Sequence, residues 1–205
     1  MGSEGCRKEG LCKKNVNTQR GLEFLEVCFN TFCQYGLENT GLKRLADACG
    51  VTNGALTYYF GSKDAIVIES TAYCMAKVED DFMAKAPTDV DDIERFLCEM
   101  PLRTAKLHGA KYRFVYQVYA SPKYREYGKD FFQYVKTRYR KYAEKLAPKL
   151  GLPVAYTQGM FRIFVLACEH YVLFEDEDYL RLQLNAIRTS LRAVLAARQR
   201  EMEGT

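Results

Sequence analysis

Residues 36–63 read GLENTGLKRLADACGVTNGALTYYFGSK, and this stretch decides the fold of the N-terminal part of the chain. Its apolar spacing predicts two short helices, about residues 42–49 and 53–59, joined by a tight turn that contains Gly50. This is a helix-turn-helix pattern. Six apolar side chains have the spacing to lock the pair against the preceding amphipathic helix, about residues 18–35: Leu42, Leu45, Ala46, Val51, Leu56 and Phe60.

The outward residues of the second short helix are small or polar: Thr52, Asn53, Ala55, Thr57 and Tyr58. This profile suits the major groove of DNA, where bulk would keep the helix away from base edges. Asn53 has the amide that pairs with adenine, and Thr57 has the groups to meet a thymine methyl or make a single hydrogen bond. Four residues are expected to lie near phosphates, the first through the exposed helix N-terminus beside it: Thr40, Tyr58, Tyr59 and Lys63.

The segment resembles the DNA-binding head of the TetR family of transcriptional regulators over about residues 18–67. The shared string is T-x-x-x-x-[IL]-A-x-x-x-G-V-[ST]-x-G-x-[LI]-x-x-[HY]-F-x-x-K, filled here by Thr40, Leu45, Ala46, Gly50, Val51, Thr52, Gly54, Leu56, Tyr59, Phe60 and Lys63. The resemblance implies base contacts from Lys43 and Asn53 and phosphate contacts from Tyr58, Tyr59 and Lys63. Two positions depart from the family's pattern. Thr57 replaces a tyrosine that contacts DNA, and Gly41 replaces a second Ser or Thr, which removes one phosphate contact.

Helical periodicity continues along the rest of the chain, and no period-two alternation is bounded by turn residues. We therefore predict an all-α fold of about nine helices, a three-helix head followed by a larger helical bundle. Breaks are expected at Gly109, at Ser121–Pro122, and at Pro148, Gly151 and Pro153. The predicted domains are a flexible N-terminal arm (1–17), a helix-turn-helix DNA-binding domain (18–60) and a helical ligand-binding and dimerisation domain (61–205).

The composition favours a soluble cytoplasmic protein without catalytic activity. The 205 residues are 48% apolar and carry a net charge of +4, which permits an acidic partner such as DNA. Residues 1–20 contain no secretory signal, and the apolar stretch at residues 160–174 is too short to span a bilayer. With two histidines and no catalytic motif, the sequence predicts no enzyme, and we expect no cofactor and no metal.

The eight cysteines are spread through the predicted helices and the N-terminal arm without a CxxC pair. We interpret them as small buried hydrophobes that are kept reduced in a cytosol. The alternative is a redox-responsive regulator, in which Cys74, Cys98 or Cys168 of the C-terminal body is made reactive by nearby positive charge.

A single recognition helix contacts too few base pairs for stable binding, so we expect a homodimer that binds a near-palindromic operator in double-stranded DNA. The last two helices contain more apolar surface than one partner helix covers, and the resemblance also implies that they form the dimer interface. The predicted interface stripe consists of Leu184, Ile187, Leu191 and Leu195.

The C-terminal body is rich in tyrosine and phenylalanine, which predicts a pocket for a small-molecule effector that is apolar or aromatic with one polar or anionic group. Arg162 or His108 would orient that group. The candidate pocket residues are His108, Tyr112, Tyr116, Phe131, Tyr134 and Arg162. Effector binding would separate the two heads and release the DNA, which is the behaviour expected of a repressor.

Overall fold

The computed structural model describes residues 16–203, and this part of the chain contains helices and no strand. The α-helices are α1 (Gln19–Tyr35), α2 (Leu42–Ala48), α3 (Asn53–Phe60), α4 (Lys63–Lys85), α5 (Ile93–Ala120), α6 (Arg125–Leu150), α7 (Val154–Phe174) and α8 (Glu177–Glu203). Two short 3-10 helices, Val90–Asp92 and Pro122–Tyr124, precede α5 and α6. The all-α prediction is confirmed, whereas most of the predicted N-terminal arm lies outside the described residues.

Helix α5 differs from the sequence expectation because it runs through Gly109 without a break. Residues 16–203 therefore form eight α-helices where about nine were expected. The helix also contains Pro101, which lacks the N–H of a regular helix interior. Neither Pro101 nor Gly109 ends α5, because the helix has buried side chains both before and after them, among them Met100 and Phe114. Such packing overrides a local penalty of roughly 1 kcal/mol for glycine and 3 kcal/mol for proline.

Helix α6 continues past the expected stop at Pro148 and ends at Leu150. Gly151 adopts a positive φ of 62°, and the N–H of Leu152 donates to the carbonyl of Ala147 at 3.0 Å. This is a helix-ending arrangement in which a glycine takes the left-handed conformation. Gly151 is therefore the residue that stops the helix.

The first compact unit contains the described residues through Asp81 together with Ala110–Tyr134. Its core joins α1 to the C-terminal part of α5, because the rings of Phe29 and Phe32 pack on Phe114 at centroid distances of 5.4 and 5.1 Å. All three rings are buried. The unit continues past residue 60, where the sequence analysis placed the end of the DNA-binding domain, and that boundary stays a prediction.

The second compact unit contains Phe82–Gly109 and the described residues from Val135 onward. An aromatic cluster around Phe161 fills its core, with ring centroids 5.0 Å from Tyr139 and 4.5 Å from Tyr142. Glu175 follows α7 in the left-handed conformation, with φ 53°, and this turn leads the chain into α8.

None of the helices within residues 16–203 is by itself long and apolar enough to cross a membrane. One pair, Pro122–Leu150 with Val154–Phe174, meets the length and composition criteria only when taken together, and it is bent by 115°.

Candidate functional site

Helix α3 is held by one face to the rest of the first unit. Leu56 and Phe60 are buried under it, and Leu45 and Ala46 of α2 are buried beside them. The turn between α2 and α3 depends on Gly50, whose φ is +65°, and the N–H of Val51 donates to the carbonyl of Ala46 at 3.0 Å. A residue with a side chain is strained at that φ, so the glycine fixes how closely α2 and α3 follow each other.

The opposite face of α3 points away from this core. Thr52 caps the helix by accepting a hydrogen bond from the N–H of Ala55 at 3.1 Å, and its side chain remains exposed. Asn53 is exposed, Tyr58 is 65% exposed and Thr57 is half-buried. Three residues that the sequence analysis assigned to DNA contact therefore lie on this one short helix, and a fourth, Thr52, caps it.

Two residues that were expected to contact DNA phosphates make contacts with other residues of the first unit. The ring of Tyr59 lies edge-on to Phe24 at a centroid distance of 5.1 Å. The ammonium of Lys63 donates to the carbonyl of Leu37 at 3.0 Å. Both side chains are half-buried, so each has a structural contact as well as some accessible surface.

The side chain of Thr40 is fully buried. Its hydroxyl donates to the carbonyl of Gly36 at 2.7 Å. This bond uses the hydroxyl inside the head, so the Thr40 side chain is not in a position to bind a phosphate. The short polar side chain is needed to satisfy a backbone group beneath the start of α2. The expected phosphate contact, which was assigned to the helix N-terminus beside Thr40 and not to its side chain, stays a prediction.

Helix α2 presents two cations, of which the sequence analysis named only Lys43. Lys43 and Arg44 are both exposed. The guanidinium of Arg44 lies 4.3 Å from the centre of the Tyr35 ring and donates to the carbonyl of Asn39 at 2.8 Å. Arg44 could have been identified from the sequence, because it directly follows Lys43 and forms a basic pair with it.

A cavity lies within the second unit, and none of the six predicted pocket residues lines it. One wall is aromatic and the other is aliphatic; principal lining residues are Phe96, Tyr142, Phe161, Phe164, Leu146, Leu150, Leu152, Ile187 and Leu191. In the first unit, Phe131 is buried against Tyr134 and Tyr119, Tyr112 is buried and Tyr116 is half-buried. In the second unit, His108 is half-buried and Arg162 pairs with Glu169 at 3.1 Å. The cavity thus does not bring the six residues together.

Most of the predicted dimer stripe packs against other side chains of the same chain. Leu184 and Ile187 are buried within the single chain. Leu191 and Leu195 pack against a buried cluster formed by Leu146, Leu150 and Leu152. Within the single chain, Leu184 and Ile187 thus belong to the core and Leu191 and Leu195 are partly covered, and the assignment of this stripe to a dimer interface stays a prediction.

Other large apolar side chains of α7 and α8 point to solvent. Phe174 is 71% exposed and Leu182 is 64% exposed, and Ile163 and Tyr179 are each about half exposed. The sequence signal was present, since Tyr179, Leu182 and Ala186 follow a helical spacing of their own.

Two of the three cysteines named in the redox alternative do not have the surroundings that it requires. Cys74 and Cys168 are buried, and burial raises the pKa of both thiols, that of Cys74 to about 12. Cys98 differs from these two, because its thiol is exposed and accepts a hydrogen bond from the guanidinium of Arg188 at 3.1 Å.

A thiol pair that the sequence analysis missed lies in the first unit. The Sγ atoms of Cys28 and Cys49 are 3.6 Å apart, although the residues are 21 positions apart in the chain. Their hydrogen bond lowers the pKa of Cys49, and the same bond and burial raise the pKa of Cys28. Among residues 16–203 no group of three or more His, Cys, Asp or Glu side chains is arranged to hold a metal ion.

Comparison with known proteins finds matches to the N-terminal part of the chain in sequence. Residues 24–69 match the family model described as bacterial regulatory proteins, tetR family. The HTH-type transcriptional repressor KstR2 of Mycobacterium tuberculosis is 39% identical over 54 residues. That match covers 26% of this chain and 26% of the relative, so the aligned segment spans about a quarter of each protein.

The fold of most of the chain is similar to two solved structures. A TetR transcription regulator from Haloarcula marismortui ATCC 43049 aligns with a TM-score of 0.66 and 17% identity, over 85% of this chain and 97% of that one. The fatty acid degradation regulator FadR from Bacillus halodurans aligns with a TM-score of 0.56 and 14% identity, over 85% and 95% of the two chains. At these identities the likeness concerns the fold alone.

Proposed function

Because this chain belongs to the TetR family of transcriptional regulators, we propose that it is a repressor that binds a near-palindromic operator in double-stranded DNA as a homodimer. A small molecule bound to the helical body releases it from the operator. The protein acts in the cytoplasm as a regulator and not as an enzyme. The relative KstR2 is named a repressor, and this name supports repression here.

The surface of α3 is the observation that carries the proposal. Leu56 and Phe60 fix one face of the helix, while Asn53 and Tyr58 are exposed on the other. A helix held in this way presents an amide, hydroxyls and a methyl group to the edges of bases in the major groove. Lys43 and Arg44 on the neighbouring α2 add positive charge that attracts phosphates.

The exposed faces of α7 and α8 support dimerisation. Ile163 on α7 and Leu182 on α8 are large apolar residues that the chain itself leaves open to solvent. Two copies of the chain would cover these faces by a two-fold contact, as a near-palindromic operator requires. The proposed interface is therefore the outward face of α7 and α8, and not the inward stripe of Leu184, Ile187, Leu191 and Leu195.

Selection from random duplexes tests the proposal, with the folded protein free of added ligand. We expect enrichment of a sequence with two related half-sites. Asn53→Ala should relax the preference at one position in each half-site, since a bidentate amide–adenine contact discriminates by about 1–3 kcal/mol. Enrichment of nothing above background would overturn the repressor assignment.

Asn30→Ala is the matched control, because Asn30 is an exposed amide on α1, outside the helix-turn-helix. Any contact it made with the phosphate backbone would affect all sequences equally. It should leave the selected sequence unchanged. Loss of preference at the same position in both variants would remove Asn53 from base recognition.

A further inference from the structure

Two cysteines from separate helices meet inside the three-helix head. Cys28 lies in the middle of α1 and is fully buried, and Cys49 is the residue that ends α2. Their Sγ atoms are 3.6 Å apart and in hydrogen-bond contact. The sulfur atoms of a disulfide are about 2.0 Å apart. The fold has therefore already brought the two thiols together, and only a short approach separates them from a covalent bond.

The two thiols have unequal surroundings. Cys49 is half-buried, so a small oxidant in solution can reach its sulfur. The hydrogen bond from Cys28 lowers the pKa of Cys49, while the same bond and burial raise the pKa of Cys28. Oxidants react with the thiolate and not with the thiol. Cys49 is therefore the thiol that an oxidant meets first, and Cys28 is the neighbour that reacts with the product.

Two further cysteines of the first unit provide a comparison. Cys33 of α1 is half-buried and Cys74 of α4 is buried, and burial raises the pKa of each thiol to about 12. Both thiols therefore stay protonated near neutral pH and react slowly. Cys74 also raises the pKa of Cys28 by its charge, so Cys74 is a neighbouring thiol that an experiment must distinguish from Cys49.

We propose that Cys28 and Cys49 form a modification site, at which hydrogen peroxide converts the two thiols into a disulfide within the chain. The Cys49 thiolate attacks one peroxide oxygen, the O–O bond breaks, and Cys49 becomes a sulfenic acid. The departing hydroxide takes up the proton that Cys49 had released. The sulfur of Cys28 then attacks the Cys49 sulfur, the S–O bond breaks, and water leaves with the thiol proton of Cys28. Two thiols are oxidised and one peroxide is reduced to two molecules of water.

The disulfide joins α1 to the turn that positions α3. Helix α1 is held in place by the buried ring of Phe29, which packs on Phe114 at a centroid distance of 5.4 Å, so the closing movement falls mainly on the end of α2. Gly50 follows Cys49 directly and leads into α3. Hydrogen bonds to base edges keep their length within roughly 0.5 Å, so a small shift of α3 breaks them. The oxidised protein therefore binds its operator more weakly, a step that rests on the proposed function, whereas the disulfide itself does not.

Tryptic mapping of the native protein after treatment with hydrogen peroxide tests the modification site. Cleavage at the basic residues leaves Cys28 in peptide 21–43 and Cys49 in peptide 45–63. With free thiols blocked by N-ethylmaleimide, we expect these two peptides to be recovered linked, and dithiothreitol should separate them. Failure to recover the linked pair, or linkage of peptide 45–63 to any other peptide, would overturn the proposal.

Cys33→Ala is the matched control, because Cys33 lies on the same helix and in the same tryptic peptide as Cys28. It should leave the link unchanged. Cys28→Ala should abolish the link and leave the sulfenic acid of Cys49 to be trapped by dimedone. A link that persists in Cys28→Ala, or one that disappears in Cys33→Ala, would overturn the assignment. If Cys28→Ala does not melt cooperatively, fragment ions that divide Cys28 from Cys33 in the linked native peptides locate the bond instead.

Operator binding by the reduced and the linked protein tests the regulatory step, with an operator obtained by selection from random duplexes. We expect the linked form to bind roughly tenfold more weakly, the scale of one lost base contact, and dithiothreitol to restore the affinity. Cys49→Ala should lose this response to peroxide and Cys33→Ala should keep it. Equal affinities of the linked and reduced forms would refute the regulation. A reduced protein that selects no DNA would refute the repressor function and leave the disulfide site in place.

Discussion

Lys43 and Lys63 are both basic residues of the predicted DNA-contacting set, but they have different surroundings. Lys43 is exposed on α2, while Lys63 is half-buried and donates to the carbonyl of Leu37. Lys43→Ala should weaken binding to all duplexes, because each dimer would neutralise two fewer phosphates. The slope of log affinity against log salt concentration should become shallower by about 0.9 for each of those phosphates. The melting temperature should stay unchanged.

Lys63→Ala should in addition lower the stability by about 1 kcal/mol, since it removes a hydrogen bond that ties α4 to the head. Melting followed by circular dichroism and binding at several salt concentrations separate the two effects. Lys141→Ala, which removes an exposed charge on α6, is the control and should change neither quantity. Equal melting temperatures for Lys63→Ala and the native protein would show that the Leu37 contact contributes nothing to stability.

The thiol pair Cys28 and Cys49 makes a prediction about pH. The hydrogen bond from Cys28 lowers the pKa of Cys49, so the thiolate of Cys49 forms at lower pH than that of an ordinary cysteine. Alkylation of Cys49 should therefore reach half its maximal rate below the usual pH range of a cysteine, and Cys28, which is buried and has a raised pKa, should react more slowly than Cys49. In Cys28→Ala the donor is absent and the midpoint should rise. Mass spectrometry of protein treated with iodoacetamide at several pH values measures it, and an unchanged midpoint in Cys28→Ala would contradict the assignment.

At the scale of elements, the head could be predicted because local signals agree there. The spacing of Leu45, Leu56 and Phe60 and the Gly50 turn specify the same pair of short helices, and the cap that Thr52 forms in the structure agrees with them. Helix α5 was predicted with a break, because Gly109 is a local signal and the burial that overrides it comes from residues distant in the chain.

The function of the two stripes on α8 could not be predicted from their spacing. Leu184, Ile187 and Leu191 form one stripe, and Tyr179 and Leu182 belong to another, both with helical periodicity. Which stripe the chain covers depends on how α6 and α7 pack in the second unit. The cavity lining depends on the same packing, and an abundance of aromatic residues does not specify which of them meet.

Substitution of one residue in each stripe separates folding from assembly. Leu182→Asp places a charge on the exposed face and should give monomers with a native helical spectrum and weak operator binding. Leu191→Asp places a charge against the core cluster and should lower the stability by roughly 3 kcal/mol or more. Leu102→Asp, at an exposed leucine of α5, is the control. Sedimentation and thermal melting measure the outcomes, and a native protein that is monomeric at micromolar concentration would refute the dimer.

At the scale of the whole molecule, three helices supply residues to both compact units. Helices α4, α5 and α6 each begin in one unit and end in the other. In the first unit, the C-terminal part of α5 reaches the head through Gln117, whose side-chain oxygen accepts a hydrogen bond from the N–H of Leu37 at 3.0 Å. The carbonyl of the same Leu37 receives Lys63 of α4. The backbone of Leu37 in the head is thus hydrogen-bonded to side chains from two of the three shared helices, α4 and α5.

Gln117→Ala should therefore weaken the coupling between effector and operator while leaving both sites intact. The native ratio of operator affinities without and with the small-molecule effector should fall toward one, by an amount worth about 0.5–2 kcal/mol. Linkage requires the effect of operator DNA on effector affinity to fall by the same factor, so the two ratios check each other. Gln19→Ala is the matched control, because the exposed amide of Gln19 donates to Glu23 within α1. If Gln117→Ala retains the full native ratio, the signal does not pass through the bond between α5 and Leu37, and the Lys63 contact of α4 becomes the bond to test next.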